Sequence, residues 1–303
     1  MKSMNRIWRK NMKFSICGNK KEKKTRFFLA IYLGITFGLS WGMSILYVLF
    51  YDLLHPYVGE LTLSNPFVII SLNSPSVAGI LIFFLYGGVK GLKQFVKSLI
   101  PNKKECIWFL IIIVISVVFY LCMHYGSILF EIELPTVTLS KKERIILLLK
   151  NIYEETGLLG GALGWYGFLL PYLQKKYNSC IKAALLTGFI FGLFVLPGYV
   201  FSSFETATAY PFYVGQLMAF SVFVAFIMNK TRGNVIFFIF SFWLVASGSK
   251  LQFYNFVVSV QILEFVFFVI LSVGIYMYYK LAKKEDLNKN SLACFPEYLL
   301  NRG

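Results

Sequence analysis

Three glutamates border or interrupt apolar sequence, and few other residues could do chemistry. Glu154 and Glu155 precede a glycine-rich apolar run. Glu264 lies inside another apolar stretch, with Gln261 one turn before it. An acid in such surroundings is costly to bury and serves as a base, relay or ligand. A carboxylate can activate water, but hydrolysis also needs a donor for the developing oxyanion. Imidazoles are scarce: His55 and His124 are the only two, and neither has a partner at ligand spacing. No metal or cofactor is therefore expected. The five cysteines, Cys17, Cys106, Cys122, Cys180 and Cys294, are scattered, which argues against a disulfide framework. No phosphate-binding or dinucleotide-binding glycine motif is present.

The elements that must position these groups are apolar and long. The chain of 303 residues is 57% hydrophobic, with mean hydropathy +0.66. A soluble domain is nearer 45–50% apolar. The apolar residues come in blocks that reach the ~20 residues a lipid-spanning helix needs. The blocks predict spans at about 27–51, 67–88, 107–130, 145–171, 183–202, 211–228, 235–253 and 254–279. Asn73 and Pro75 are expected to interrupt the second. The fold class is all-α: a polytopic transmembrane helix bundle of about eight spans. It divides into a basic tail (1–26), a single bundle (27–280) and a polar tail (281–303).

Net charge is +16, but the basic residues lie between the blocks. That is a membrane pattern rather than a nucleic-acid groove. Of the 30 Lys and Arg, 25 fall in segments 1–26, 87–106, 172–182, 229–234 and 280–303; the other side holds Lys141, Lys142, Arg144 and Lys250. The positive-inside rule then puts both termini in the cytoplasm, in a cell membrane. The bilayer is the expected partner, and nucleic acid is not.

The informative stretch is 154–247. Gly157, Gly160, Gly161, Gly164 and Gly167 recur at helical spacing. Gly157-x-x-x-Gly161 and Gly160-x-x-x-Gly164 leave one helix face nearly bare, which lets a neighbouring helix approach closely. The same stretch resembles the CPBP (Abi) family of intramembrane endopeptidases, which includes type II CAAX prenyl endopeptidases and bacteriocin-processing or self-immunity proteins. The resemblance runs through Leu163-Gly164-Trp165-Tyr166-Gly167-Phe168-Leu169-Leu170-Pro171, then Phe191-Gly192-Leu193-Phe194-Val195-Leu196-Pro197, then Asn229-Lys230-Thr231-Arg232-Gly233-Asn234. Ser74-Pro75-Ser76-Val77-Ala78-Gly79 is similar to the family's N-terminal half. The family-like core covers about 145–250.

The resemblance implies a glutamate base with His and Asn donors. The family places two glutamates and an arginine in E-E-x-x-x-R, where this chain has Gly161, Ala162 and Tyr166. A histidine before Leu-Pro is replaced by Val195, and a later His and Asn by Phe242 and Ala246. Gly, Ala, Val and Phe can neither activate water nor hold an oxyanion. The expected function is that of a degenerate intramembrane protease-like protein. It would bind a membrane partner or peptide, in bacteriocin immunity or a cell-envelope role.

Two alternatives remain open. An active endopeptidase could use Glu154 and Glu155 as displaced catalytic residues. They lie seven residues before Gly161 and Ala162, on the same face of a continuous helix and about 10 Å away along it. Lys150 is expected to pair with Glu154 at i,i+4. A small transporter could instead use Glu155 and Glu264 along a polar path.

Overall fold

The computed structural model describes residues 26–62, 65–201 and 209–289. Both tails, at 1–26 and 281–303, fall largely outside the described residues. Among the described residues every regular element is helical. We number them α1 (Arg26–Leu49), α2 (Tyr51–Val58), α3 (Pro66–Ser98), α4 (Ile107–Leu129), α5 (Lys141–Glu154), α6 (Thr156–Gly164), α7 (Leu170–Tyr177), α8 (Cys180–Phe201), α9 (Tyr210–Lys230), α10 (Ile236–Lys250) and α11 (Val258–Ala282). Six of them, α1, α3, α4, α8, α9 and α11, are long and apolar enough to cross a membrane; α10 is a shorter apolar helix. A π turn at Trp165–Leu169 joins α6 to α7 in one helical run.

Helix α9 is central: 61% of its apolar window is buried, against 17% for α1. It packs on α8 where Gly188 faces backbone. A Cβ there would stand 2.5 Å from Met218 Cα. The approach of α6 to α3 is closer still. A Cβ on Gly164 would fall 2.1 Å from the Pro75 carbonyl oxygen, and one on Gly160 would fall 2.7 Å from Asn73 Oδ1. The expected close approach along Gly160-x-x-x-Gly164 is therefore present. Gly161 instead faces its own Trp165 ring. Ser76 reinforces the contact: its hydroxyl donates to the Leu159 carbonyl (2.7 Å) and accepts from the Leu163 amide (3.2 Å).

Two expected spans differ in detail. Helix α3 runs through Asn73 and Pro75, and departs from helical geometry at Gly88 (φ 59, ψ −153). A proline removes only one backbone bond and is tolerated where neighbouring helices pack around it. Gly88 adopts a conformation essentially reserved for glycine. The predicted fourth span, 145–171, is two elements: α5 is amphipathic, and the chain breaks at Glu155 (φ −78, ψ 85) before α6 begins.

Both ends of the bundle are fastened. At the basic end, Arg232 Nε donates to Glu105 Oε1 (2.7 Å) and Lys230 pairs with Glu285. There Asn288 Oδ1 accepts from Ser179 Oγ and the Ile181 amide, capping the start of α8. At the far end, Gln252 Oε1 accepts from the Thr138 and Leu139 amides.

Candidate functional site

The π turn sets the geometry of the motif positions. It adds one residue to the turn, so Trp165 and Tyr166 both point into buried space. Trp165 meets Phe191 and Phe194 of α8, each at a ring-centroid distance of 5.4 Å, and Tyr32 of α1 at 5.8 Å. Among the described residues its Nε1, which is buried, has no hydrogen-bond partner. A Cβ on Gly161 would lie 2.9 Å from Trp165 Cδ1. A longer side chain at 161 thus requires the indole to move. Val195, beside Phe194, packs against the same core.

Tyr166 stacks on Phe238 at 3.9 Å, and its hydroxyl lies 2.7 Å from Ser221 Oγ. Phe238 stacks in turn on Phe242 at 5.6 Å, while Phe220 meets Phe242 edge-on at 6.0 Å. The fold therefore brings Tyr166 and Phe242, from separate motifs, against one phenyl ring, that of Phe238. The polar atoms here are an indole N–H and a hydroxyl pair. These are donors and weak acceptors, not bases able to deprotonate water.

Glu154 and Glu155 lie elsewhere. The break at Glu155 ends the continuous helix on which the seven-residue spacing relied, so that reasoning does not place them on the face of Gly161 and Ala162. Glu154 is exposed. Among the described residues Lys150 does not pair with it; the ion pair is Lys250 Nζ to Glu155 Oε2 at 2.9 Å. Lys250 also donates to Asn151 Oδ1 (2.6 Å), and Asn151 Nδ2 donates to Ser247 Oγ (2.8 Å). Asn151 and Ser247 are fully buried, so this far-end network reaches into the bundle.

Glu264, 2% exposed, accepts from Gln216 Nε2, and the Tyr254 hydroxyl donates to the Val245 carbonyl (3.4 Å). Tyr213 lies within electrostatic reach of both Glu155 and Glu264. Sequence reasoning missed Asn151, Tyr213, Gln216, Ser247 and Tyr254. The available signal was a glutamine inside an apolar span, where an unpaired amide is expensive.

His124 Nδ1 donates to the Phe253 carbonyl (3.0 Å), and His55 Nδ1 bonds the Tyr47 hydroxyl (3.0 Å). Among the described residues no three of His, Cys, Asp or Glu are placed to hold a metal ion. The donor set there does not suit a metal ion.

Apolar spans, a tightly packed helical interior and connecting loops tied at each end define a multi-pass helical membrane protein. Residues 145–248, from α5 to α10, match the family model described as type II CAAX prenyl endopeptidase Rce1-like. The resemblance expected from the motifs is found over that stretch, which holds Trp165, Tyr166, Phe238 and Phe242. No curated protein matches the chain.

Proposed function

We propose that this chain keeps the intramembrane-protease scaffold but binds a peptide or membrane partner instead of cleaving it. One observation carries the reading. The resemblance read from the sequence puts Gly161, Ala162, Tyr166, Val195, Phe242 and Ala246 where the family carries its catalytic groups, and the Phe238 ring packs against both Tyr166 and Phe242. Membrane-embedded hydrolysis needs a base and an oxyanion donor in one water-filled pocket. Trp165, Tyr166 and Ser221 offer donors there, but none of the residues at these positions is a base. A role in bacteriocin immunity or in support of a cell-envelope enzyme fits such a binder.

The hydrolytic alternative rests on Glu154 and Glu155. It has less support, because Glu154 is exposed and Glu155 is held by Lys250. Wild-type protein in liposomes, offered a prenylated CAAX peptide and an unprenylated peptide, is expected to cleave neither above empty liposomes. Cleavage by wild type that disappears in Glu154→Gln or Glu155→Gln would overturn the reading in favour of the alternative. Photo-crosslinking from residues lining the far-end network, in native membranes, is expected to trap a specific partner.

A further inference from the structure

The segment after Gly88 has three distinct faces. Residues 89–98 stay helical but do not continue the line of 66–87. Phe83 and Phe95 are twelve residues apart, a distance of about 18 Å along a straight helix. Their rings stack at 4.0 Å. The chain therefore folds back at Gly88, and a Cβ on Gly91 would stand only 2.8 Å from the Phe83 carbonyl.

On the returning helix Gly91, Phe95 and Ser98 are buried. Lys90, Lys93 and Lys97, at spacings of three and four, form an exposed stripe roughly opposite. Val89 and Val96, 61% and 54% exposed, form an apolar stripe beside the lysines. Phe83 precedes Gly88 by about 8 Å of helix. Exposed lysines beside exposed valines are the pattern of an interfacial amphipathic helix.

Charge makes the surface selective. Lys103 and Lys104, exposed in the next loop, enlarge the patch. The neighbouring acid, Glu105, is buried and engaged by Arg232, so it is not directed at the stripe. Among the described residues no ion pair involves Lys90, Lys93 or Lys97.

We propose that residues 89–98 are a docking surface for anionic phospholipid headgroups, with Val89 and Val96 in the acyl boundary and Lys90, Lys93 and Lys97 on the phosphates. The inference is independent of the proposed function. It has a consequence for the fold, because Phe95 packs against Gly167 in the π turn that carries Trp165 and Tyr166. Headgroup binding would brace that turn from outside.

The test uses the full chain in nanodiscs of mixed phosphatidylglycerol and phosphatidylcholine. Native mass spectrometry at fixed ionic strength counts the lipids retained. Wild type is expected to retain phosphatidylglycerol preferentially. The Lys90→Gln/Lys93→Gln/Lys97→Gln variant is expected to lose that preference, on the order of fivefold per lysine. Arginine at the same three positions should preserve it, and Lys141→Gln/Lys142→Gln at the far end should leave it unchanged. Undiminished preference in the triple Gln variant would sink the proposal. So would loss of preference in the Arg variant, or displacement of the lipid by free inorganic phosphate.

Discussion

At Gly164 a methyl group has nowhere to go. Its carbon would fall 2.1 Å from a backbone oxygen and 2.4 Å from the adjoining carbonyl carbon of Pro75, and neither atom can rotate away. Overpacking usually costs about 1–3 kcal/mol. Gly164→Ala is expected to cost about 3 kcal/mol or more, because relief requires separating α6 from α3. Gly87, with nothing within 4 Å of its would-be Cβ, is the matched control. Gly87→Ala should change stability by less than ~0.5 kcal/mol. Thermal unfolding in detergent, followed by tryptophan fluorescence, separates the two. Asn151 gives a polar counterpart. Truncation to alanine strips partners from buried Ser247 and from Lys250, at about 1–3 kcal/mol. A melting curve for Asn151→Ala identical to that of wild type would mean that the far-end network contributes nothing. The glycine face was legible in the sequence because small residues at spacing four have one dominant use in lipid. The network was not, since Asn151, Ser247 and Lys250 meet across separate helices and no local pattern links them.

Elements carry information that single residues do not. The break at Glu155 and the π turn ten residues later decide where the motif positions point. Neither has a sequence signature as strong as an apolar block. An apolar run broken only by scattered polar residues looks the same whether it is one helix or an amphipathic helix meeting a buried one, which is why 145–171, with Lys150, Asn151, Glu154 and Glu155 inside it, reads as a single span. The start of α5, by contrast, is written plainly. Ser140 and Glu143 form a reciprocal capping box: the Ser140 amide donates to Glu143 Oε2 (2.8 Å), and the Glu143 amide donates to Ser140 Oγ (3.3 Å). Hydrogen bonds from the Ser140 side chain and backbone hold the Glu143 carboxyl below the usual carboxylate range. A carboxyl whose folded value is depressed stabilises the fold above its unfolded value, and that contribution fades as pH falls through the folded one. The first turn of α5 should therefore fray on acidification below the ordinary glutamate range and hold firm at neutral pH. Amide exchange at Glu143 and Arg144, corrected for its intrinsic pH dependence, reads this directly. Glu143→Gln should flatten the profile, and a wild-type profile that is already flat would contradict the argument.

The whole molecule poses the question of sidedness. Contacts sort the loops into two sets without reference to a membrane. Phe28 meets Tyr86, Glu105 meets Arg232, Lys230 meets Glu285, and Asn288 caps α8, so residues 26 and 289 lie at one end. Thr138, Gln252, Glu155 and Lys250 gather at the other. The basic residues concentrate at the first end, and a translocating chain retains such segments in the cytoplasm. We therefore expect both termini inside. Cys106 offers a native probe, since it is exposed at the basic end. In intact cells a membrane-impermeant maleimide should spare Cys106 and should label it once the membrane is opened. A Thr138→Cys variant should label at once. Immediate labelling of Cys106 with protection at 138 would invert the bundle. The Glu155–Lys250 network would then face the cytoplasm, and a search for its partner would have to begin among intracellular peptides instead of extracellular ones.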